Sequence, residues 1–320
     1  MDHPAIPEAD LSRVRTVPIA RRANRVEPSL LAHPPGDDRS FDAFLAGLPD
    51  ILAAADLRAV IAAVAAAAGR RSIIAQIGGH VIKTGMGPLL IRLMERRAIT
   101  HLAMNSAASI HDFELCAFGG TSEDVAAGLA DGTFGMAEET GREMNAAIRT
   151  GQARNWGMGE SLARALEARP SLPGRDHSVL LAGLRLGVQV TVHAAIGTDI
   201  IHQHPDADGA ALGDTSFRDF KRLAAAVPSL HDGGVVLNLG SAVIMPEVFL
   251  KALTIARNLE GGRPTDFTAV DFDMIRHYRP GMNVVERPTL AGGKGYSITG
   301  HHELLVPLLV WGVDAALRRR

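Results

Sequence analysis

The sequence predicts an α/β fold, with a parallel sheet carrying helices on both faces. Three observations predict it. Ser72–Ile77 is a short apolar run that breaks at Gly78-Gly79-His80 and gives way to a helical pattern from Gly85. His101–Met104 is a second such run, stopped by Asn105-Ser106. The same order of strand, polar or glycine turn, and helix recurs at 189–204 and 233–253. Strands alternating with helices argue for a parallel sheet covered on both sides. In such sheets ligands bind beyond the carboxyl ends of the strands, so these turns can face one crevice.

Taken in order, residues 1–40 are rich in Pro, Arg and Asp without periodicity and read as an N-terminal arm. Its cluster Arg13, Arg15, Arg21, Arg22 and Arg25 reads as solvated, or as packed on a neighbouring subunit. A single α/β domain is expected over 41–320. It opens with a helical lead-in from Phe41 to Ala68, where Pro49 divides two helices. Strands are expected at 72–77, 100–104, 188–193, 234–239 and 267–272. Helices are expected at 86–97, 121–130, 136–149, 159–168, 177–186, 215–226, 245–258 and 302–316. Thr121-Ser122-Glu123-Asp124 ahead of Val125 reads as a helix start, with a capping hydroxyl and acids on the positive end. Residues 150–176 are polar and broken by Pro and Gly, and read as a loop with a short helix.

With 320 residues, 47% of them hydrophobic, the chain can bury a large core. A net charge of -2 gives no broad nucleic-acid footprint. The single cysteine, Cys116, excludes an internal disulfide and fits a reducing compartment; its apolar neighbours make it a buried filler. The acidic N-terminus lacks the apolar stretch of a secretory signal, and the Ala-rich run at 59–69 is too short to span a bilayer. A cytoplasmic protein is expected, with a small-molecule substrate and neither membrane nor nucleic acid as partner.

The chemistry-bearing residues fall in the turns. Gly78 to Gly85, with His80, Lys83 and Thr84, resembles a phosphate-cradling turn, although a tight strand–helix connection reads equally well. It matches neither the Walker spacing nor GxGxxG. Asn105, Ser106, His111 and Asp112 follow the next strand; Asp112 suits ribose hydroxyls or the cap of the helix carrying Phe113 to Phe118. His193, Asp199, His202 and His204 permit a metal site, yet neutral His and Asp suit acid–base or hydroxyl-binding roles better, and no metal is assigned. Asn238, Gly240 and Ser241 close a strand before the helix from Met245, where backbone amides can hold a phosphate. Lys294 stands between glycines, either as a surface lysine or as an amine reaching into a cleft, where desolvation would make it a nucleophile toward carbonyls. Gly300-His301-His302-Glu303 opens the last helix.

The order of these segments resembles the deoxyhypusine synthase family. The resemblance runs through Lys83-Thr84-Gly85, Asn105-Ser106 with His111-Asp112, Phe134-Gly135-Met136 to Glu143, Gly197-Thr198-Asp199-Ile200-Ile201, Leu239 to Ile244, and Leu304 to Leu309. Each motif is weak alone; the collinear set covers the chain from Ser72 to its end. The resemblance implies a Rossmann-like doubly wound sheet binding NAD, usually in a tetramer with sites at a subunit interface. It implies cofactor contacts from His80, Thr84, Gly85, Asn105, Ser106, Asp112, Gly240, Ser241 and His301, and a substrate-side aspartate at Asp199; Gly78 joins the cofactor-binding set from the glycine turn itself.

Three departures stand out. Met245-Pro246-Glu247 replaces the family's Lys-His-His, His193-Ala194 replaces Thr-Asp, and Lys294 lies closer to the last helix than the family's catalytic lysine. They imply a divergent member with a rebuilt substrate pocket, not a true deoxyhypusine synthase. The leading expectation is an NAD-dependent transferase or oxidoreductase acting on a small polar amine or polyol, with Asp199, His202 and Lys294 as catalytic residues, in a dimer or tetramer. The alternatives are a metal-dependent hydrolase and a non-catalytic nucleotide- or sugar-phosphate-binding protein.

Overall fold

The structure is a computed structural model describing residues 6–320. Six strands form its sheet: β1 Ile73–Ile77, β2 His101–Asn105, β3 Gln189–His193, β4 Val235–Leu239, β5 Phe267–Asp273 and β6 Gly293–Thr299. They lie in the order β3-β2-β1-β4-β5-β6, and every neighbouring pair is parallel. This is the doubly wound order, in which the chain reverses direction across the sheet between β1 and β4 and leaves a crevice there. Both faces are covered. All five residues of β1 are buried, Ile73 and Ile77 in one apolar layer and Ile74 in the other, which is why the central strands read as continuous apolar runs rather than alternating ones.

The five expected strands are present with bounds shifted by one residue at most. β6 is the exception. No strand is expected around Lys294, yet the stretch pairs in register with β5, Lys294 opposite Thr268. Lys294 is therefore a strand residue at the amino end of β6, five residues before Thr299. At a strand rise of ~3.3 Å per residue it sits about 17 Å from the carboxyl edge.

The helices are α1 Phe41–Gly47, α2 Leu52–Ala67, α3 Gly79–Lys83, α4 Gly87–Glu95, α5 Ser106–Phe118, α6 Val125–Asp131, α7 Glu138–Arg154, α8 Met158–Glu167, α9 Val179–Leu186, α10 Gly209–Ala226, α11 Ile244–Leu259 and a terminal helix His302–Arg318. The expected loop at 150–176 is mostly helical. α7 runs on to Arg154 and ends at Asn155, whose left-handed backbone (φ 59) caps it, and α8 starts three residues later. α5 starts at the turn read from Asn105-Ser106, because the Asn105 side chain accepts the Ala108 N–H at 3.0 Å and caps it. Of the arm, residues 6–40 form only short 3₁₀ turns with no buried residue in them. No helix among the described residues is long and apolar enough to cross a membrane. Cys116 is buried, and burial pushes its thiol up to about 11, which makes it a poor nucleophile.

Two polar features sit inside this frame. The free edge of β3 is closed by Asp219 of α10, fully buried, whose Oδ2 accepts the Val192 N–H at 2.9 Å and the Gly159 N–H of α8 at 2.8 Å. Under the neighbouring face, Thr191 Oγ1 lies 2.9 Å from His101 Nε2 and 3.0 Å from His193 Nε2. Both imidazoles are buried, and desolvation lowers them to about 4 and about 3, so both are neutral. The single hydroxyl proton goes to one ring while the other ring donates to the oxygen, which fixes opposite tautomers across the two strands.

Candidate active site

The carboxyl edge of the sheet brings two groups of residues together. Over β1 and β4, Gly78 and Gly240 touch. A Cβ on Gly78 would run into the Gly240 carbonyl, and one on Gly240, itself left-handed at φ 62, would run into the His302 ring. Close approach of backbone to backbone and to an imidazole is what these glycines permit. His302 is buried, and its Nε2 faces the Phe272 carbonyl at 3.3 Å, while its Nδ1 has no hydrogen-bond partner among the described residues. The His80 ring stands 5.6 Å from it. Ser241 Oγ accepts the Met245 N–H at 3.2 Å and so steadies the start of α11. His301 is exposed at the start of the terminal helix. Gly85 is left-handed with open space around it, and Thr84 folds its hydroxyl back onto the His80 carbonyl at 2.9 Å.

Beyond β1, β2 and β3 lies a cavity of about 610 Å³ between α3, α5, the 119–125 loop, the start of α7 and the Thr198–Ile200 turn. Asp199 faces it. Ser106 donates its hydroxyl to Asp199 Oδ2, the Thr198 hydroxyl lies 3.2 Å from the same oxygen but has its nearer acceptor in the Ala195 carbonyl at 2.8 Å, and the His202 Nε2 lies 3.9 Å away. The Nδ1 of His202 accepts backbone N–H groups of Gly197 (3.1 Å) and Asp199 (3.4 Å), which places its proton on Nε2, aimed at the carboxylate. Burial lowers the basicity of this imidazole, against the opposing pull of Asp199. At 3.9 Å His202 is near Asp199 without a hydrogen bond, its Nε2 has no partner among the described residues, and of the two only Asp199 lines the cavity.

α5 supplies the cavity's other wall through Ala107, Ile110, His111, Glu114 and Phe118, positions that share one helical face. Asp112, one residue from His111, points elsewhere. It is buried and accepts the Ser178 hydroxyl at 2.6 Å, the Val179 N–H at 2.8 Å and the Leu180 N–H at 3.2 Å. Asp112, expected at a ribose or as the cap of the helix carrying Phe113 to Phe118, lies within α5 and caps the start of α9, and burial raises its carboxyl to about 6. Lys294, at the opposite edge of the sheet, does not join either group. The residues proposed as metal ligands also diverge. His193 bonds Thr191, and His204 Nε2 bonds the Gly135 carbonyl at 2.8 Å. Among the described residues no group of three or more His, Cys, Asp or Glu is placed to hold a metal ion.

Sequence reasoning missed a second cluster. Glu114 accepts the Thr121 hydroxyl at 2.5 Å and the Thr140 hydroxyl at 2.8 Å, and Thr121 lies 2.8 Å from His111 Nδ1. The signal within reach was the His111–Glu114 spacing on one helix face; the threonines come from other segments. His302 was passed over in favour of its exposed neighbour.

Comparison with family models and with curated proteins finds no match. Solved structures do share the fold. A LOR/SDH protein from Methanococcus maripaludis S2 superposes with a TM-score of 0.50 at 16% identity, covering 83% of this chain and 71% of that one. AgrE in ternary complex with ornithine and NAD⁺ gives 0.53 at 15%, over 83% of this chain and 34% of that one. An Entamoeba histolytica chain described as a deoxyhypusine synthase gives 0.52 at 12%, over 86% and 93%. This chain thus spans about a third of the AgrE length. At these identities the likeness is one of fold, and the expected deoxyhypusine synthase-like architecture stands.

Proposed function

We propose an NAD-dependent enzyme of the deoxyhypusine synthase-like group, acting on a small polar amine or polyol. The observation that carries the reading is the juxtaposition at one sheet edge of a glycine-lined crevice over β1 and β4 and a cavity of about 610 Å³ over β2 and β3. Ligands of doubly wound sheets bind at this switch point. The unpartnered, buried Nδ1 of His302 beside Gly240 fits a ligand that supplies its missing hydrogen bond. Gly78, Gly240 and Ser241, with His80, Thr84, Gly85, Asn105, Ser106 and His301 around them, would hold the cofactor. NAD supplies a hydride acceptor when bound. Asp199, oriented by the Ser106 hydroxyl, would bind and align a substrate hydroxyl or ammonium group at the cavity. Lys83 at the cavity wall would draw an anionic substituent. AgrE is a neighbour solved with NAD⁺, which lends the cofactor support. A homo-oligomer, dimer or tetramer, in the cytoplasm is the assembly proposed.

Calorimetric titration with NAD⁺ and NADH tests the reading. Saturable binding is expected, lost in Gly78→Ala because the added methyl forces the two turns apart. Absence of binding by either form, with the fold confirmed by circular dichroism, defeats it.

A further inference from the structure

We infer that His111 is the proton acceptor of the cavity over β2 and β3, held by Thr121 and Glu114 with its Nε2 free toward the bound group. The inference deepens the proposed function and rests on it for the identity of the bound group.

The direction of the hydrogen bonds follows from counting protons. The Glu114 carboxylate can only accept, so Thr121 gives its single hydroxyl proton to Oε2 at 2.5 Å. Nothing remains on Thr121 to donate to His111, so the 2.8 Å contact must run from His111 Nδ1–H to the Thr121 oxygen. The neutral imidazole then has its lone pair on Nε2. Thr140 holds the second oxygen of Glu114 at 2.8 Å, so the carboxylate is fixed from two sides. The ring edge that carries Nε2 faces the β1 turn: Cδ2, its neighbour, would meet a Cβ on Gly79 at 3.3 Å. Lys83 and His80 of α3 act on the ring from that side and Glu114 from its own helix. Burial keeps the ring neutral, outweighing Glu114, with Lys83 and His80 adding to it.

The arrangement is a carboxylate, a hydroxyl and an imidazole in series, opening onto a cavity that also contains Asp199. His202, by contrast, has its Nδ1 occupied by backbone amides and its proton on Nε2, so it cannot accept there. The step assigned to His111 is one proton transfer. An O–H or N–H bond of the bound alcohol or ammonium group breaks, its electron pair stays on oxygen or nitrogen, and the proton forms an N–H bond at Nε2. Positive charge then develops on the imidazole next to Thr121 and Glu114, which stabilise it.

The test reads the ring directly and needs no substrate. Long-range ¹H–¹⁵N correlation spectra of the labelled, full-length protein at mildly alkaline pH report which nitrogen of each histidine is protonated, and His111→Gln assigns the signal. An unprotonated Nε2 and a protonated Nδ1 are expected for His111, with the reverse for His202. Thr121→Val, a change on a partly exposed loop, is expected to move the His111 tautomer ratio about tenfold toward Nε2–H, the value of one hydrogen bond of about 1.4 kcal/mol. Thr121→Ser is expected to restore it. Diethyl pyrocarbonate, mapped by mass spectrometry, is expected to acylate His111 in the native protein and to do so more slowly in Thr121→Val. A protonated Nε2 in the native protein, a ratio unmoved by Thr121→Val, or a ring that resists the reagent overturns the assignment. Loss of NAD binding in the calorimetric titration with the His111 tautomer intact leaves the proton acceptor standing and removes only the cofactor.

Discussion

Replacing Thr191 with valine removes one hydroxyl and leaves two buried imidazole nitrogens without a partner, because His101 and His193 both close onto it at 2.9 and 3.0 Å. Each orphaned buried group costs about 1–3 kcal/mol, while the added methyl returns about 1 kcal/mol of apolar burial. A net loss of about 3 kcal/mol is expected. For 320 residues that corresponds to a fall in Tm of about 4 °C. Urea unfolding followed by far-ultraviolet circular dichroism measures it as a lower midpoint at unchanged slope. Thr191→Ser, which keeps the hydroxyl, is expected to recover most of the loss.

The same imidazoles set a pH dependence. Their folded values of about 4 and about 3 lie below the unfolded value near 6.5, so the folded chain binds fewer protons across that interval. The contribution of these two rings is therefore full above about pH 6.5 and is lost as the pH falls toward 4, by up to about 3 kcal/mol for each ring, while the buried carboxyls of Asp112, Asp219 and Asp271, raised to about 6, 7 and 6, act in the opposite direction. A valine variant within 0.5 kcal/mol of the native protein would refute the reasoning.

Asp112→Ala is expected to lose about 3 kcal/mol, since three donors at the head of α9 lose their acceptor; thermal unfolding checks it, and the loss should appear equally with and without NAD. Lys294→Ala should leave the NAD titration and Tm unchanged, because the side chain is exposed at the far edge of the sheet. Gly141→Ala pushes a methyl into the His204 ring and should cost about 1–3 kcal/mol by overpacking, read by urea unfolding.

The parallel sheet was legible because its central strands are buried on both faces and punctuated by Gly or Asn at their carboxyl ends. β6 was not. It is an edge strand with Ile298 as its one buried residue, and its first residues, Gly293-Lys294-Gly295, have no side-chain pattern that announces pairing; only β5 makes it a strand. The candidate site was half legible. Ser106 and Asp199 come together as expected from the turns after β2 and β3. Asp112 and His111 are adjacent in sequence but about 100° apart around α5, and no local signal tells which faces the ligand side. That choice is made by the partners, Ser178 for one and Thr121 for the other.

Asp219 has a consequence for assembly. A sheet grows by offering the backbone N–H groups of its last strand to a newcomer, and at β3 the Val192 N–H is already taken by a carboxylate held 0% exposed under α10. A Cβ on Gly159 would meet the Val190 carbonyl, so α8 presses on the same edge. A second copy joining strand to strand is thereby refused at β3, and any contact between copies on this side must be made through helices.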